Sequence, residues 1–146
     1  MSSDLPPIVL SLKPVYGEPI LDGAKRVELR RRFPASLALP RRGLIYLTAP
    51  GGCLAGEVRI TSLEILGLEE AWERYGAVAG IDRPGYDAYL AGLSQVRVLR
   101  LEEPRRYLRP IPLEEMMRLH GLRAPQLFAY APESLVDALQ EQRPAG

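Results

Sequence analysis

The sequence predicts an α+β protein in which five or six short strands form a small mixed β-barrel with short helices at its periphery. Three observations lead to this fold class. Apolar runs of strand length alternate with amphipathic stretches of helical spacing. Two of the strands change the parity of their apolar side chains, which predicts β-bulges. The 14 prolines and 13 glycines predict many turns and short elements.

The first part of the chain is predicted to hold two strands and one helix. The apolar run Ile8–Leu12 follows two prolines and predicts a strand. A short helix should begin near Glu18, because Pro19 fits only the first turn of a helix, and it should end at Gly23. Residues 25–32 alternate between apolar and charged side chains, which predicts the second strand.

The rest of the chain is predicted to hold further short elements. A basic loop covers residues 33–43, and an irregular basic stretch lies between Pro104 and Pro110. A β-bulge near Ser62 would resolve the change of parity in the longest strand, and Asp82 is expected to cap a helix. The further strands are predicted over residues 44–48, 54–66, 96–101 and 127–130, and the further helices over 68–75, 82–93, 113–119 and 134–140.

Length and composition predict one domain over residues 1–146, with a core over about residues 7–130. The net charge of +1 excludes a polyanion interaction based on bulk charge, so any such site needs local clustering. No stretch has the pattern of a signal peptide or a membrane span, which predicts a cytoplasmic protein without a membrane partner. A monomer is the default expectation, and residues 142–146 are expected to be disordered.

No metal site and no cofactor are predicted. The single histidine, His120, and the single cysteine, Cys53, lie far apart in the sequence and cannot form a zinc site. The chain has no phosphate-binding glycine loop, no nucleophile elbow and no dinucleotide fingerprint. Gly51 and Gly52 are expected to form a hairpin turn. The composition therefore argues against the commonest metal-dependent and nucleotide-dependent enzyme classes.

The basic residues are unevenly distributed along the chain. Only Lys13 and Lys25 are lysines among the 19 basic residues, and the ammonium of a lysine loses its proton more readily on burial than a guanidinium does. Basic side chains concentrate in residues 25–42 and 97–109, whereas glutamates concentrate in residues 57–73. A local phosphate-binding face requires such an asymmetry, but arginines paired with carboxylates on a solvated surface would give the same pattern.

A series of short motifs resembles one known family. The segment VLSLKP at residues 9–14 is followed by the pattern G-x-K-x-x-E-x-R, formed by Gly23, Lys25, Glu28 and Arg30. The remaining matches are Thr48-Ala49-Pro50, Gly56-Glu57-Val58, Pro125-Gln126, Phe128 and Tyr130. In their order and spacing these motifs resemble the ASCH domain, a member of the PUA-like superfamily, over roughly residues 7–130.

The resemblance implies a PUA-like barrel with a cleft lined by the motif residues, and it implies RNA binding. One branch of the family deacylates N4-acetylcytidine with a lysine, a threonine three residues later and a distant glutamate. Here Glu28 takes the place of that threonine after Lys25, and no glutamate lies near Ala79-Gly80, which argues against amidohydrolase activity. Some family members are ribonucleases, but this chain has no pair of histidines for such a reaction.

The leading hypothesis is a module that binds nucleic acid, either RNA or a modified nucleotide, in a basic cleft formed by the motif. Lys25 and Arg30 would contact a phosphate or a base edge, and Glu28 would accept a hydrogen bond from a base amine or orient Arg30. The candidate ligand-binding residues are Lys13, Lys25, Glu28, Arg30, Arg32, Tyr46, Thr48 and Glu57.

Two alternatives remain open. In the first, the protein is a hydrolase, either an amidohydrolase or a nuclease, in which Lys25 has a lowered pKa and Glu28 acts as general base. In the second, the protein is a structural or protein-interaction domain, and the pair of Glu28 and Arg30 only seals the fold. An open cleft with Lys25 and Arg30 at its floor would favour ligand binding or catalysis over the structural role.

Overall fold

The computed structural model describes residues 5–142, and within them six strands form one mixed sheet with five α-helices around it. The strands are β1 (Ile8–Leu12), β2 (Val27–Arg30), β3 (Arg41–Leu47), β4 (Cys53–Gly67), β5 (Gln95–Pro112) and β6 (Ala129–Tyr130). The helices are α1 (Pro14–Asp22), α2 (Leu68–Tyr75), α3 (Arg83–Tyr89), α4 (Leu113–His120) and α5 (Glu133–Gln140), and a single 3-10 turn covers Gly76–Val78. The predicted α+β class is confirmed.

The sheet is open, and the predicted closed barrel is not formed. The strand order is β2-β5-β4-β3-β1-β6, so that β2 and β6 are its two edges. Among the strand pairings within residues 5–142, only that of β1 with β3 is parallel. The two edges approach each other through side chains instead of a backbone ladder: the rings of Phe33 and Phe128 lie 5.2 Å apart, and Arg30 Nη1 donates to the Leu127 carbonyl at 3.3 Å.

Several predicted elements are confirmed. Helices α2 and α4 cover the predicted segments, and the Asp82 side chain caps α3 by accepting from the Gly85 amide at 2.9 Å. The ladder between β4 and β5 shifts register between Ile60 and Ser62, where a bulge was predicted. The turn at residues 48–52 joins β3 and β4 as a hairpin.

The largest differences from the predicted strands are in β2, β3 and β5. Strand β2 is shorter because the Lys25 amide donates to the Pro19 carbonyl and the Arg26 amide to the Val78 carbonyl. Strand β3 begins at Arg41, three residues inside the predicted loop. Strand β5 continues through the predicted irregular stretch, because it stays paired with β4 beyond Arg100, where its pairing with β2 ends. A strand that is paired on one side accommodates proline on the other.

Helix α1 begins at Pro14, which is earlier than predicted. Proline suits the first position of a helix because that amide needs no partner inside the helix. Gly17 lies buried within α1, and a Cβ at this position would overlap Leu47 Cδ2. Glycine is therefore required here for the close approach of α1 to the sheet, and the helix tolerates the internal Pro19 over its nine residues.

Both faces of the sheet are covered by apolar side chains. Leu10 and Ile45 belong to a cluster on one face, whereas the neighbouring Val9 and Leu44 belong to a cluster on the other. A third cluster packs α2 and α3 against Val27 and Val98. This double coverage explains why four of the five residues of β1 are apolar instead of every second one.

At the C-terminus, Gln142 is buried and ordered. Its side chain accepts from the Arg109 amide at 2.7 Å and donates to the Arg109 carbonyl at 2.6 Å. The expectation of disorder is wrong for this residue, and residues 143–146 lie outside the described part of the chain. None of the helices within residues 5–142 is long and apolar enough to cross a membrane.

Candidate functional site

A cleft of about 300 Å³ opens between α1, the start of β2 and α3. Glu28 and Arg30 are two residues apart in β2, so their side chains point to the same face of the sheet. Lys25 lies before the strand, and its side chain extends to the Glu28 carboxylate. Lys25 Nζ lies 2.9 Å from Glu28 Oε1, and Arg30 Nε lies 2.9 Å from Glu28 Oε2. One carboxylate therefore holds two cations in a buried triad of charges.

Lys25 is held in place by its surroundings. Its ammonium donates to the Tyr16 carbonyl at 3.3 Å and lies 5.4 Å from the centroid of the Tyr16 ring. The apolar part of its side chain packs against Gly80, where a Cβ would come within 2.8 Å of Lys25 Cδ. Only 5% of the Lys25 surface is exposed, so the ammonium keeps a fixed position instead of sampling solvent.

Two buried polar groups at this cleft lack a partner among the described residues. Arg30 Nη2 and Ser11 Oγ are both buried and neither makes a hydrogen bond. Both residues line the cleft, and Arg30 is 8% exposed. A buried donor without a partner costs about 1–3 kcal/mol, so such groups in a native fold need an explanation. A polar ligand in the cleft supplies one.

The rim of the cleft adds charge and aromatic surface. Lys13 is exposed at one side, and Tyr89 is half-exposed at the other, where its hydroxyl donates to the Leu29 carbonyl at 3.3 Å. Burial first, and then the negative charge of Glu28, raises the pKa of the Tyr89 phenol, which keeps its proton. The lining carries two positive charges in excess, because it has three cations, Lys13, Lys25 and Arg30, and one anion, Glu28.

The structure brings together four of the predicted site residues, namely Lys13, Lys25, Glu28 and Arg30. Arg32 lies beyond the end of β2 and is exposed. Tyr46 is buried in an apolar cluster, and burial first, then Cys53, raises the pKa of its phenol. Thr48 follows β3, and its amide donates to the Leu12 carbonyl at 2.9 Å. These three positions are not part of the cleft lining.

Glu57 is the buried centre of a second group of charges, whose arginines are partly exposed. Arg42 contacts it through two nitrogens, at 3.0 Å to Oε2 and 2.9 Å to Oε1. Arg105 Nη2 donates to Oε2 at 3.1 Å, and the Tyr107 hydroxyl donates to Oε1 at 3.0 Å. The bidentate arrangement with Arg42 is the strongest common geometry for a guanidinium and a carboxylate.

The environment of this second group fixes its protonation. Burial by itself would raise the pKa of the Glu57 carboxyl, but the hydrogen bond and charge of Arg42, the hydrogen bond from Tyr107 and the charge of Arg105 together lower it. Burial first, and then Glu57, raises the pKa of the Tyr107 phenol. Glu57 is therefore an anion and Tyr107 a neutral donor over the whole physiological range of pH.

The sequence did not single out Ser11 and Tyr89, which line the cleft, or Gly80, which packs against Lys25. Ser11 is the one polar residue of the apolar strand β1, and that interruption was the available signal. Gly80 has a positive φ of 68° and touches Lys25 from a loop about 55 positions away, which no local pattern reveals. Across residues 5–142, no three side chains of His, Cys, Asp or Glu gather as a metal-binding set.

Comparison with known proteins identifies the family. The family model for the ASCH domain matches residues 10–117. The ASCH domain-containing ribonuclease of Zymomonas mobilis is 31% identical over 115 residues, which are 77% of this chain and 75% of that protein. The crystal structure of ASCH from Zymomonas mobilis superposes with a TM-score of 0.86 at 27% identity, over 92% of this chain and 94% of the other.

A more distant structure shares the fold. The human THYN1 protein, seen in complex with DNA that contains 5-methylcytosine, gives a TM-score of 0.60 at 14% identity. The superposition covers 96% of this chain and all of that one. Because the family model covers most of the chain, and the Zymomonas protein matches it over three quarters of its length, the chain belongs to the ASCH domain family.

Proposed function

We propose that the protein binds RNA, or a modified nucleotide, in the cleft formed by Lys25, Glu28 and Arg30. The observation that carries this proposal is the pair of buried, unpartnered donors, Arg30 Nη2 and Ser11 Oγ, on a lining that carries excess positive charge. A purely structural ion pair has no need of such donors, because a fold that only seals itself gains by satisfying or removing them.

The cleft offers each chemical group that a nucleotide needs. Arg30 and Lys13 suit phosphate oxygens or an acceptor on a base edge. Tyr16 and Tyr89 offer aromatic rings at the rim for stacking. Glu28 is engaged by two cations, so its role is to orient them instead of acting as a free base. The volume of about 300 Å³ suits a ligand the size of one nucleotide.

The comparisons support a nucleic-acid ligand. The Zymomonas relative carries the name of a ribonuclease, and the human protein of the same fold is seen with modified DNA. The name of the first protein implies an RNA substrate, and the second protein is bound to DNA. We infer that this chain uses its sheet and cleft for the same class of partner.

Binding of a short single-stranded oligonucleotide tests the proposal. A 2′-O-methyl RNA probe is titrated by fluorescence anisotropy against the parent protein and the variant Arg30→Met at two salt concentrations. Affinity should fall with salt at a log–log slope of about −0.7 for each phosphate contact. Arg30→Met should bind about tenfold more weakly, since a hydrogen bond from a charged group contributes about 1.5–3 kcal/mol.

The matched control is Arg123→Met. Arg123 is an exposed arginine that does not line the cleft, so its loss changes the net charge equally without touching the proposed site. It should bind like the parent. If both variants lose the same small affinity, or if Arg30→Met binds like the parent, then the triad of Lys25, Glu28 and Arg30 is a structural seal.

A second candidate function is RNA cleavage, which the 31% identity to a named ribonuclease favours. The residues that line the cleft include two lysines, an arginine, a carboxylate and two phenols, but no histidine. Incubation of a labelled RNA with the parent protein and with Lys25→Met distinguishes cleavage from binding. Catalysis in this cleft would be established by three results together. The parent protein produces fragments from RNA, it produces none from the 2′-O-methyl probe, and Lys25→Met produces none from either.

A further inference from the structure

The buried charged residues of the cleft, Lys25, Glu28 and Arg30, form what we call its floor. The Nη2 atom of Arg30 makes no hydrogen bond within residues 5–142. Glu28 is the one carboxylate among the described residues of the lining, and each of its oxygens lies 2.9 Å from a cation. An amino group of a ligand would have to compete with these cations for Glu28. The floor is therefore arranged to donate hydrogen bonds to a ligand instead of accepting them.

The walls of the cleft suit a flat, largely apolar body. Beside its two tyrosines the lining has four aliphatic side chains: Leu12, Leu29, Ala79 and Ile81. A phosphate group pressed between these side chains would lose its hydration, which is costly for an anion. Lys13 is exposed at the rim, where a phosphate group keeps most of its water. The arrangement therefore favours a base inside the cleft, against the floor, and a phosphate group outside it near Lys13.

The four bases differ in the groups that they present to a guanidinium. Guanine has two adjacent acceptors, N7 and O6, on one edge, and their bidentate contact with arginine is the commonest specific contact to a base. Adenine has an amino group in place of O6, and that group would face the donors of Arg30. Cytosine and uracil have no N7 atom and therefore lack this pair of acceptors. A floor that donates through a guanidinium thus matches guanine best.

We propose that the cleft selects guanine and that Arg30 is its specificity-determining residue, donating to N7 and O6 through the edge that carries Nη2. This inference rests on the function proposed above, because it names the base that occupies the same cleft. The guanidinium is held on two sides, since Nε lies 2.9 Å from Glu28 Oε2 and Nη1 donates to the Leu127 carbonyl at 3.3 Å. Glu28 and Leu127 thus position Arg30, and its Nη2 side is left for the base.

Short strands that differ in one base test this selection. Each is the same 2′-O-methyl RNA with uridine flanks, and its central base is guanine, hypoxanthine, 7-deazaguanine, adenine, cytosine or uracil. Hypoxanthine keeps N7 and O6 but lacks the amino group of guanine, whereas 7-deazaguanine lacks only the N7 acceptor. In fluorescence anisotropy with the full chain, the guanine and hypoxanthine strands should bind equally, and the other strands about tenfold more weakly.

The variant Arg30→Lys keeps the positive charge of the floor and removes the planar fork of the guanidinium. It should bind every strand with the affinity that the parent has for the adenine strand, so that the preference for guanine is lost. Arg123→Lys makes the same change at an exposed arginine outside the cleft, and it should keep the preference of the parent. If Arg30→Lys does not fold, the comparison of guanine with 7-deazaguanine on the parent protein decides the question by itself.

The outcomes separate this inference from the proposed function. A preference for guanine and hypoxanthine that Arg30→Lys removes supports the inference. Equal binding of all strands, weakened by Arg30→Met, overturns the inference and leaves the proposed function standing. A preference for guanine that the 7-deazaguanine strand shares, or that a folded Arg30→Lys keeps, overturns the role assigned to Arg30. If the parent protein binds none of the strands, the inference and the proposed function are both wrong.

Discussion

Gly80 lies directly against the side chain of Lys25. Its φ of +68° is favourable only for glycine, and a Cβ at this position would come within 2.8 Å of Lys25 Cδ. The loop after the Gly76–Val78 turn thus forms a wall that holds the lysine toward Glu28. The position of Lys25 depends on a residue far away in the sequence as much as on Glu28 in the strand that follows it.

This contact predicts that Gly80→Ala displaces Lys25 and weakens ligand binding in the cleft. The change should cost about 1–2 kcal/mol of backbone strain and should also reduce oligonucleotide affinity. Gly92→Ala is the matched control, because Gly92 has a φ of +86° but a Cβ added there would meet no atom within 4 Å. Both variants should lose stability in urea, and only Gly80→Ala should lose affinity. Equal affinities in the two variants would show that Gly80 does not position Lys25.

The buried triad predicts a large stability effect at Glu28. Glu28→Gln removes the charge that compensates Lys25 and Arg30, which leaves two buried cations close together. Breaking a buried ion pair in this way costs about 3–5 kcal/mol, and urea unfolding measures it.

An exposed pair provides the comparison for Glu28. Glu114 lies 2.9 Å from Arg118 on the surface of α4, and Glu114→Gln should cost no more than about 0.5 kcal/mol. If Glu28→Gln lowers the free energy of unfolding by no more than Glu114→Gln does, the triad does not contribute to stability. The geometry of the cleft would then not depend on the triad.

The lowered pKa of Glu57 predicts a pH-dependent contribution to stability. Because the carboxyl has a lower pKa in the folded than in the unfolded protein, its contribution is present above the unfolded value of about 4.3 and is lost as the pH falls through the folded value. Glu57→Gln should therefore be less stable than the parent at pH 7, and the difference in the free energy of unfolding should shrink below pH of about 4. A difference that stays constant with pH would contradict the assigned network.

The pairing of β6 predicts that the chain folds as one unit. Strand β6 pairs with β1 at Ile8 and Val9, and α5 buries Leu135 and Leu139 in the core. A chain that ends at Pro125 loses both elements and should show no cooperative thermal transition. A fragment of this length with a sharp melting transition would show that the C-terminal part is a separate addition.

Local sequence patterns were sufficient for the parts of the site that lie close together in the chain. Alternation in β2 places Glu28 and Arg30 on one face, and the same pattern buries Val27 on the other. The pairing with Lys25 follows from a separation of three residues. These relationships depend on backbone geometry over a few residues, which the order of residues determines.

Contacts between distant residues could not be predicted in this way. Arg41 and Arg42 are adjacent and chemically identical, yet Arg42 pairs with Glu57 while Arg41 packs on Tyr130. The difference arises because neighbouring residues of a strand point to opposite faces, and each face meets a different partner. The open sheet was missed for the same reason, since closure depends on whether β2 and β6 pair across about 100 residues.

The most direct test of the proposed function is the location of the ligand. The ¹⁵N-labelled protein is titrated with the 2′-O-methyl RNA probe, and the Arg30 Nε–H signal and the Gly80 amide are followed by NMR. Binding in the cleft predicts shifts at both signals that saturate with the affinity measured by anisotropy, with no shift at the exposed Arg123. Saturable binding that leaves Arg30 and Gly80 unperturbed would contradict the assignment of this cleft.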